Sequence, residues 1–234
     1  MLIIIIYMQD LIKCSVVIPC YNSQNSIKIL IEEIYNLNLE KFEIIEIICT
    51  DDFSTDKTLK ILEELKQEYK NLYVISNTKN QGQAKATIEG ISKSTGEFII
   101  TLDDDCQHPP SQIIKLLKAC YDQNLDFTIA EWKLDENFIR NLSSNIANIL
   151  FNIVRLDFTY YRFTDFRVID SKIKGKIIEE FKDSSMMDLR KVSNNYKMIM
   201  VQHNPKPLGR KHTSFLYRFQ LTMAYLLEEL KPKK

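Results

Sequence analysis

Gly96-Glu97-Phe98-Ile99-Ile100-Thr101-Leu102-Asp103-Asp104-Asp105 is the stretch on which the reading of this chain turns. It has the pattern of a short, fully buried strand that brings three carboxylates to its C-terminal end. On an extended backbone Asp103 and Asp105 are two apart, so their side chains leave the same face. Two carboxylates converging on one spot repel each other unless a cation lies between them. Hard oxygen ligands of this kind suit Mg²⁺ or Mn²⁺, which keeps coordination positions open for phosphate oxygens. Pro109-Pro110 ends any strand, since proline donates nothing to a ladder. A solvated acidic turn is the plain alternative. A calcium EF-hand loop is a poor match, because His108 stands where its sixth position needs glycine.

Upstream, strand and helix patterns alternate. Cys14-Ser15-Val16-Val17-Ile18-Pro19 is a β-branched run of the kind found in buried parallel strands. Ser26 is placed to cap a helix with Ile27, Leu30, Ile31, Ile34 and Leu37 on one face. A strand over 44–50 ends in Asp51-Asp52, and Ser54, Thr55 and Asp56 offer caps for a helix carrying Leu59, Leu62 and Leu65. A third strand spans 72–76, and Asn80-Gln81-Gly82-Gln83 turns into a helix through Ala84, Ile88 and Ile91. This order predicts an α/β fold with right-handed crossovers and a mostly parallel sheet flanked by helices on both sides. Ligands of such sheets bind beyond the carboxyl ends of the strands. Tyr21, Asp51, Asp52, Gly82 and Asp103 to Asp105 should therefore ring one crevice. The absence of GxGxxG and GxxxxGK[ST] counts against a dinucleotide site and a P-loop.

Downstream the pattern changes. Ser111 is placed to cap a helix through Ile113, Leu116 and Leu117, and Phe127-Thr128-Ile129-Ala130 reads as a strand. A helical face over 142–154 reads as core rather than membrane surface, since its polar side carries asparagine and serine instead of lysine. Phe166 to Ile169 and Met198 to Val201 are further strand candidates. A loop from His203 to His212, an aromatic helix over 215–230 and the basic tail of Lys231, Lys233 and Lys234 follow. With no repeat or low-complexity linker, residues 1–234 read as one domain of two functional halves, 13–132 and 133–234.

Composition sets limits. Thirty-one basic residues balance thirty-one acidic ones, so no overall field favours nucleic acid. The five cysteines form no CxxC pair, which points to a reducing compartment such as the cytoplasm and away from zinc. The apolar run at 2–7 is too short to span a bilayer and lacks signal-peptide flanks. No later segment is apolar for long enough to cross a membrane. The basic tail offers a peripheral contact at the inner membrane face, and a homo-oligomer stays open.

Several segments, in order, resemble the inverting family 2 glycosyltransferases of the GT-A fold. Val16-Val17-Ile18-Pro19-Cys20-Tyr21-Asn22 is similar to their opening strand, and Thr50-Asp51-Asp52-Phe53-Ser54-Thr55-Asp56 to their VDDGSTD segment, with Phe53 in place of glycine. Asn80-Gln81-Gly82 matches their third loop. Leu102 to Pro110 resembles their DxD-containing LDADLQDPP segment. Thr164-Asp165-Phe166-Arg167-Val168-Ile169-Asp170 resembles the GDFRLLDR segment of the polyprenyl-phosphate branch, which includes dolichol-phosphate mannose synthase. The 203–212 loop resembles that branch's HxxRxxGxSxY, with Lys206 for arginine and Lys211 for serine. Ser23 replaces the glutamate of the YNE segment, and the membrane hairpin that often follows this domain has no counterpart here.

The resemblance implies a nucleotide-binding half, 13–132, and an acceptor-binding half, 133–234. It implies a nucleoside-diphosphate sugar held by Pro19, Tyr21, Asn22, Asp51, Asp52, Gly82, Asp103, Asp104 and Asp105. Mg²⁺ or Mn²⁺ would sit on Asp103 and Asp105, offsetting the departing diphosphate's charge. Asp52 reads equally as a helix-capping carboxylate. Asp165 is the candidate base with Arg167 beside it, and an Asp–Arg pair of purely structural role is the other reading. The acceptor, a glycan or a lipid phosphate, would meet Gln107, His203, Lys206, Arg210 and Lys211, with arginine suited to bidentate phosphate contact. Two other readings stand beside this one. A nucleotidyltransferase would need a glycine-rich basic loop where Pro19-Cys20-Tyr21-Asn22-Ser23 lies. A degenerate transferase would bind nucleotide or a partner without turnover.

Overall fold

The structure, a computed structural model, describes residues 11–131, 164–184, 187–202 and 204. The expected features at 2–7, 142–154, His203, Lys206, Arg210, Lys211, His212, 215–230 and the basic tail lie outside the described residues. Seven strands form one sheet: β1 (Ile12–Cys20), β2 (Phe42–Asp51), β3 (Leu72–Ser76), β4 (Phe98–Thr101), β5 (Phe127–Glu131), β6 (Arg167–Asp170) and β7 (Tyr196–Met200). Their spatial order is β3-β2-β1-β4-β6-β5-β7. Helices α1 (Ile27–Tyr35), α2 (Thr58–Glu68), α3 (Gln83–Lys93), α4 (Ile113–Asp122) and α5 (Lys174–Phe181) connect them.

The core explains why β1 is central. Every residue from Cys14 to Cys20 is buried, as a parallel strand covered on both faces requires. Val16 and Ile18 pack into one cluster with Leu30 and Ile31 of α1, Leu62 of α2 and Leu116 of α4. Val17 points the other way, into a cluster with Ile88 and Ile91 of α3 and Ile177 and Phe181 of α5. Each such buried side chain contributes about 1.5–3 kcal/mol of transfer free energy. The sheet is therefore sandwiched, as the alternating pattern predicts. Pro19 fits inside β1 because pairing with β4 ends at Val17–Thr101, so no partner there needs its missing N–H.

One strand departs from the parallel pattern. β6 runs antiparallel to both β4 and β5, with Thr101 opposite Arg167. Its beginning therefore lies at the edge where the other strands end. Two expected caps are also absent. Ser26 makes no side-chain cap; its hydroxyl instead donates to the backbone carbonyls of Ser23 (3.3 Å) and Asp104 (2.6 Å). Ser111 falls inside a single 3₁₀ turn (Pro110–Gln112) that precedes α4.

Candidate active site

The loops that leave β1, β2, β3 and β4, and the one that enters β6, meet at this edge. Asp52 N–H donates to Cys20 O at 2.9 Å, and Asn22 N–H to Ser54 Oγ at 3.0 Å. Thr55 N–H returns to Asn22 Oδ1 at 2.8 Å, and Ser23 N–H reaches Thr58 Oγ1 at 2.8 Å. The first two loops are thus zipped together, and the Asn22 side chain is spent on that seam. Tyr21 stays 46% exposed beside it, available to a flat ligand.

Asp52 is buried, and three donors occupy its carboxylate. Asn77 Nδ2 (3.1 Å) and Gln81 N–H (2.9 Å) reach Oδ1, while Gly82 N–H (2.7 Å) reaches Oδ2. These contacts place a negative charge at the N-terminus of α3, where the helix dipole favours it. These donors all precede α3, so Asp52 fixes the loop that leads into that helix rather than the start of α2, which directly follows it. Gly82 takes φ +91° and ψ 154°, a region open essentially to glycine alone. Asp51 differs from Asp52: Oδ2 accepts from Ser54 N–H at 3.2 Å, whereas Oδ1 is buried without a hydrogen bond among the described residues.

The acidic run does not stay extended. β4 ends at Thr101, and residues 104–106 turn, with Cys106 at φ +56°. The same-face argument for Asp103 and Asp105 therefore does not apply; the turn, not the pleat, aims each side chain. Asp104 folds back and accepts from Tyr21 N–H at 3.0 Å. Asp105 Oδ1 accepts from Gln107 N–H at 3.1 Å. Asp103 Oδ1 accepts from Gln83 Nε2 at 2.6 Å. Burial, then the charges of Asp165, Asp105 and Asp104, push the Asp103 carboxyl well above the usual carboxylate range, against the pull of Arg167.

From the other half of the chain, Arg167 Nη2 pairs with Asp165 Oδ1 at 2.6 Å, and Gln83 Nε2 also donates to Asp165 Oδ2 at 2.8 Å. The Thr101 hydroxyl donates to the Asp165 backbone carbonyl. Arg167 is buried, and its Nη1 has no hydrogen bond among the described residues. His108 packs against Phe166 (ring centroids 5.4 Å apart) with Nε2 3.4 Å from Thr164 Oγ1, so it joins the two loops. Asn204 N–H donates to Gln107 O at 2.7 Å and Asn204 Nδ2 to Cys106 O at 3.3 Å. The chain leaving β7 is thereby tied to the acidic loop.

Two carboxylates of hard oxygen, Asp103 and Asp105, lie within one turn. Among the described residues no three His, Cys, Asp or Glu side chains form a metal-holding group. A Mg²⁺-like ion needs only one or two carboxylates when phosphate oxygens complete its shell, and the crowded negative charge around Asp103 suits a cation. The donor set fits such a shared site rather than a closed protein cage. Gln83 and Thr101 are absent from the residues that the sequence singles out. Gln83 follows the glycine of the third loop, but the aspartates that it joins are distant in the chain.

Residues 15–179 match the glycosyl transferase family 2 domain. The chain belongs to this family. Among family relatives, an undecaprenyl-phosphate 4-deoxy-4-formamido-L-arabinose transferase of Photorhabdus laumondii is 33% identical over 140 residues, covering 59% of this chain and 43% of that protein. A dolichol-phosphate mannosyltransferase of Pyrococcus furiosus is 37% identical over 107 residues, covering 46% and 30%. The chain thus spans less than half the length of these two family 2 relatives. The glucosyl-3-phosphoglycerate synthase of Mycobacterium tuberculosis, crystallised with Mn²⁺, UDP and phosphoglyceric acid, superposes with TM-score 0.61 at 17% identity. That match covers 95% of this chain and 80% of the synthase. It shows the GT-A fold that the resemblance implies.

Proposed function

We propose that this chain is a glycosyltransferase domain that moves a sugar from a nucleoside-diphosphate sugar to a polyprenyl phosphate or glycan acceptor with inversion. The observation that carries the proposal is the meeting of Asp103 and Asp105 with the Asp165–Arg167 pair at one edge of the sheet. Tyr21, on the seam of the first two loops, would stack on the base, and buried Asp51 Oδ1 is an acceptor suited to a base or ribose donor. Asp52 and Gly82 would serve the donor indirectly, by shaping the third loop. Pro19, Asn22 and Asp104 hold the strand ends and loops on which that pocket depends.

Asp103 and Asp105 would hold Mg²⁺ or Mn²⁺, which when bound offsets the charge of a departing diphosphate. Inversion by single displacement needs a carboxylate opposite the leaving group to take the acceptor proton. Asp165 fits that role, with one oxygen held by Arg167 and the other by Gln83. A phosphate acceptor is already anionic and asks less of a base. In that case the uncommitted Nη1 of Arg167 is a donor for it. Gln107, His203, Lys206, Arg210 and Lys211 are proposed on the acceptor side, and the similarity to an undecaprenyl-phosphate and a dolichol-phosphate transferase favours polyprenyl phosphate there.

The test is turnover of a panel of UDP-, GDP- and dTDP-sugars by the purified protein with Mn²⁺ or Mg²⁺ and undecaprenyl phosphate in detergent. Asp105→Ala should lower transfer at least about a hundredfold while the circular dichroism spectrum is kept. Full activity in that variant refutes the proposal. Nucleotide binding by the wild type without turnover would instead indicate a non-catalytic module.

A further inference from the structure

We propose that Gln83 is a positioning residue of the reaction centre, a neutral clamp that sets Asp165 against Asp103. The inference rests on the transferase reading above. A glutamine amide carries two N–H donors on one nitrogen and one carbonyl acceptor. Here Nε2 lies 2.6 Å from Asp103 Oδ1 and 2.8 Å from Asp165 Oδ2. Each N–H thus serves one carboxylate, with the amide nitrogen rather than its oxygen facing both aspartates. Asp103 leaves β4 and Asp165 precedes β6, so the clamp ties the acidic loop to the strand that runs the opposite way.

The clamp completes a second grip. Arg167 holds Asp165 Oδ1 at 2.6 Å and Gln83 holds Oδ2, so both oxygens are restrained and the carboxylate plane is set. The amide itself is anchored from behind, because it starts α3 directly after Gly82, whose N–H is held by Asp52. A hydrogen-bonded path therefore runs from Asp52 on the β2 loop to Asp165. Gln83 is solvent-exposed, so its side chain adds little to the core, and removing it should act on geometry rather than on folding.

Two variants separate these roles. Gln83→Leu removes both donors, and Gln83→Glu keeps the shape but sets an acceptor and a like charge between the aspartates. Both should lower kcat about tenfold or more with donor KM within about threefold, since small misplacements of reacting groups cost rate. Both should unfold within a few degrees of the wild type. Wild-type kcat in Gln83→Glu overturns the proposal. A second measurement needs no turnover: the Gln83 side-chain NH₂ resonances, assigned by their loss in Gln83→Leu, should shift in both Asp103→Asn and Asp165→Asn. If they shift in neither, the clamp is overturned. If the wild type transfers no sugar from the panel, the transferase reading fails, and the resonance shifts alone still decide the clamp.

Discussion

Six of the described residues carry a positive φ, and only one of them, Gly82, is glycine. Gly82 at φ +91° has open space where a Cβ would go, so alanine there would meet torsional strain without a clash. Phe53 at φ +64° bears that strain already, with its ring half exposed. Gly82→Ala should therefore destabilise by about 1–3 kcal/mol. Phe53→Gly should stabilise by up to about 1 kcal/mol, the released strain being partly offset by glycine's larger unfolded-state entropy. Urea midpoints of the two variants check both, and equal shifts of one sign would contradict the torsional argument. Relief at Phe53 would also mean that the aromatic is kept there at a cost in stability.

Among the elements, the start of α3 depends on a side chain from another part of the chain. Asp52 reaches the N–H groups of Gln81 and Gly82 and the amide of Asn77, so Asp52→Ala leaves several donors without their acceptor. Hydrogen bonds to a charged group contribute about 1.5–3 kcal/mol each, and the variant should lose at least that much. Faster hydrogen exchange at Gln81 and Gly82, with β1 amides unchanged, would localise the loss. A uniform change across the sheet would argue against a local role. The antiparallel β6 is the other element with consequences: its reversed direction puts Asp165 and Arg167 at the edge where the parallel strands end.

Over the whole molecule, the fold hides four of the five cysteine thiols. Cys14, Cys20, Cys49 and Cys120 are buried, and Cys106 is partly exposed. Burial pushes the Cys14 and Cys120 thiols from an ordinary value of 9.0 up to about 12. A thiol reagent should thus label at most one cysteine in the native protein and five in denaturant. The same shifts set a sign for pH. Above 9 the unfolded chain releases these protons while the folded one keeps them, so stability should fall as pH rises from about 9 towards 12. Urea midpoints that stay level across that range would contradict the burial. Among the described residues, no helix is long and apolar enough to cross a membrane.

The sequence by itself determined the alternation of strands and helices, the burial of β1 and the gathering of Asp51, Asp52, Gly82 and the 103–105 aspartates beyond the strand ends. Those features follow from periodicity and local chemistry, which are written in neighbouring residues. Ordered motifs such as Leu102 to Pro110 carried the family in the same way. Only the tertiary structure decided that β6 runs backwards, that Asp104 turns to hold Tyr21 and that Asp52 holds the loop leading into α3. It alone brought Gln83 between Asp103 and Asp165. Each of these depends on contacts between residues far apart in the chain, whose partners are chosen by packing and charge in three dimensions rather than by spacing along the sequence.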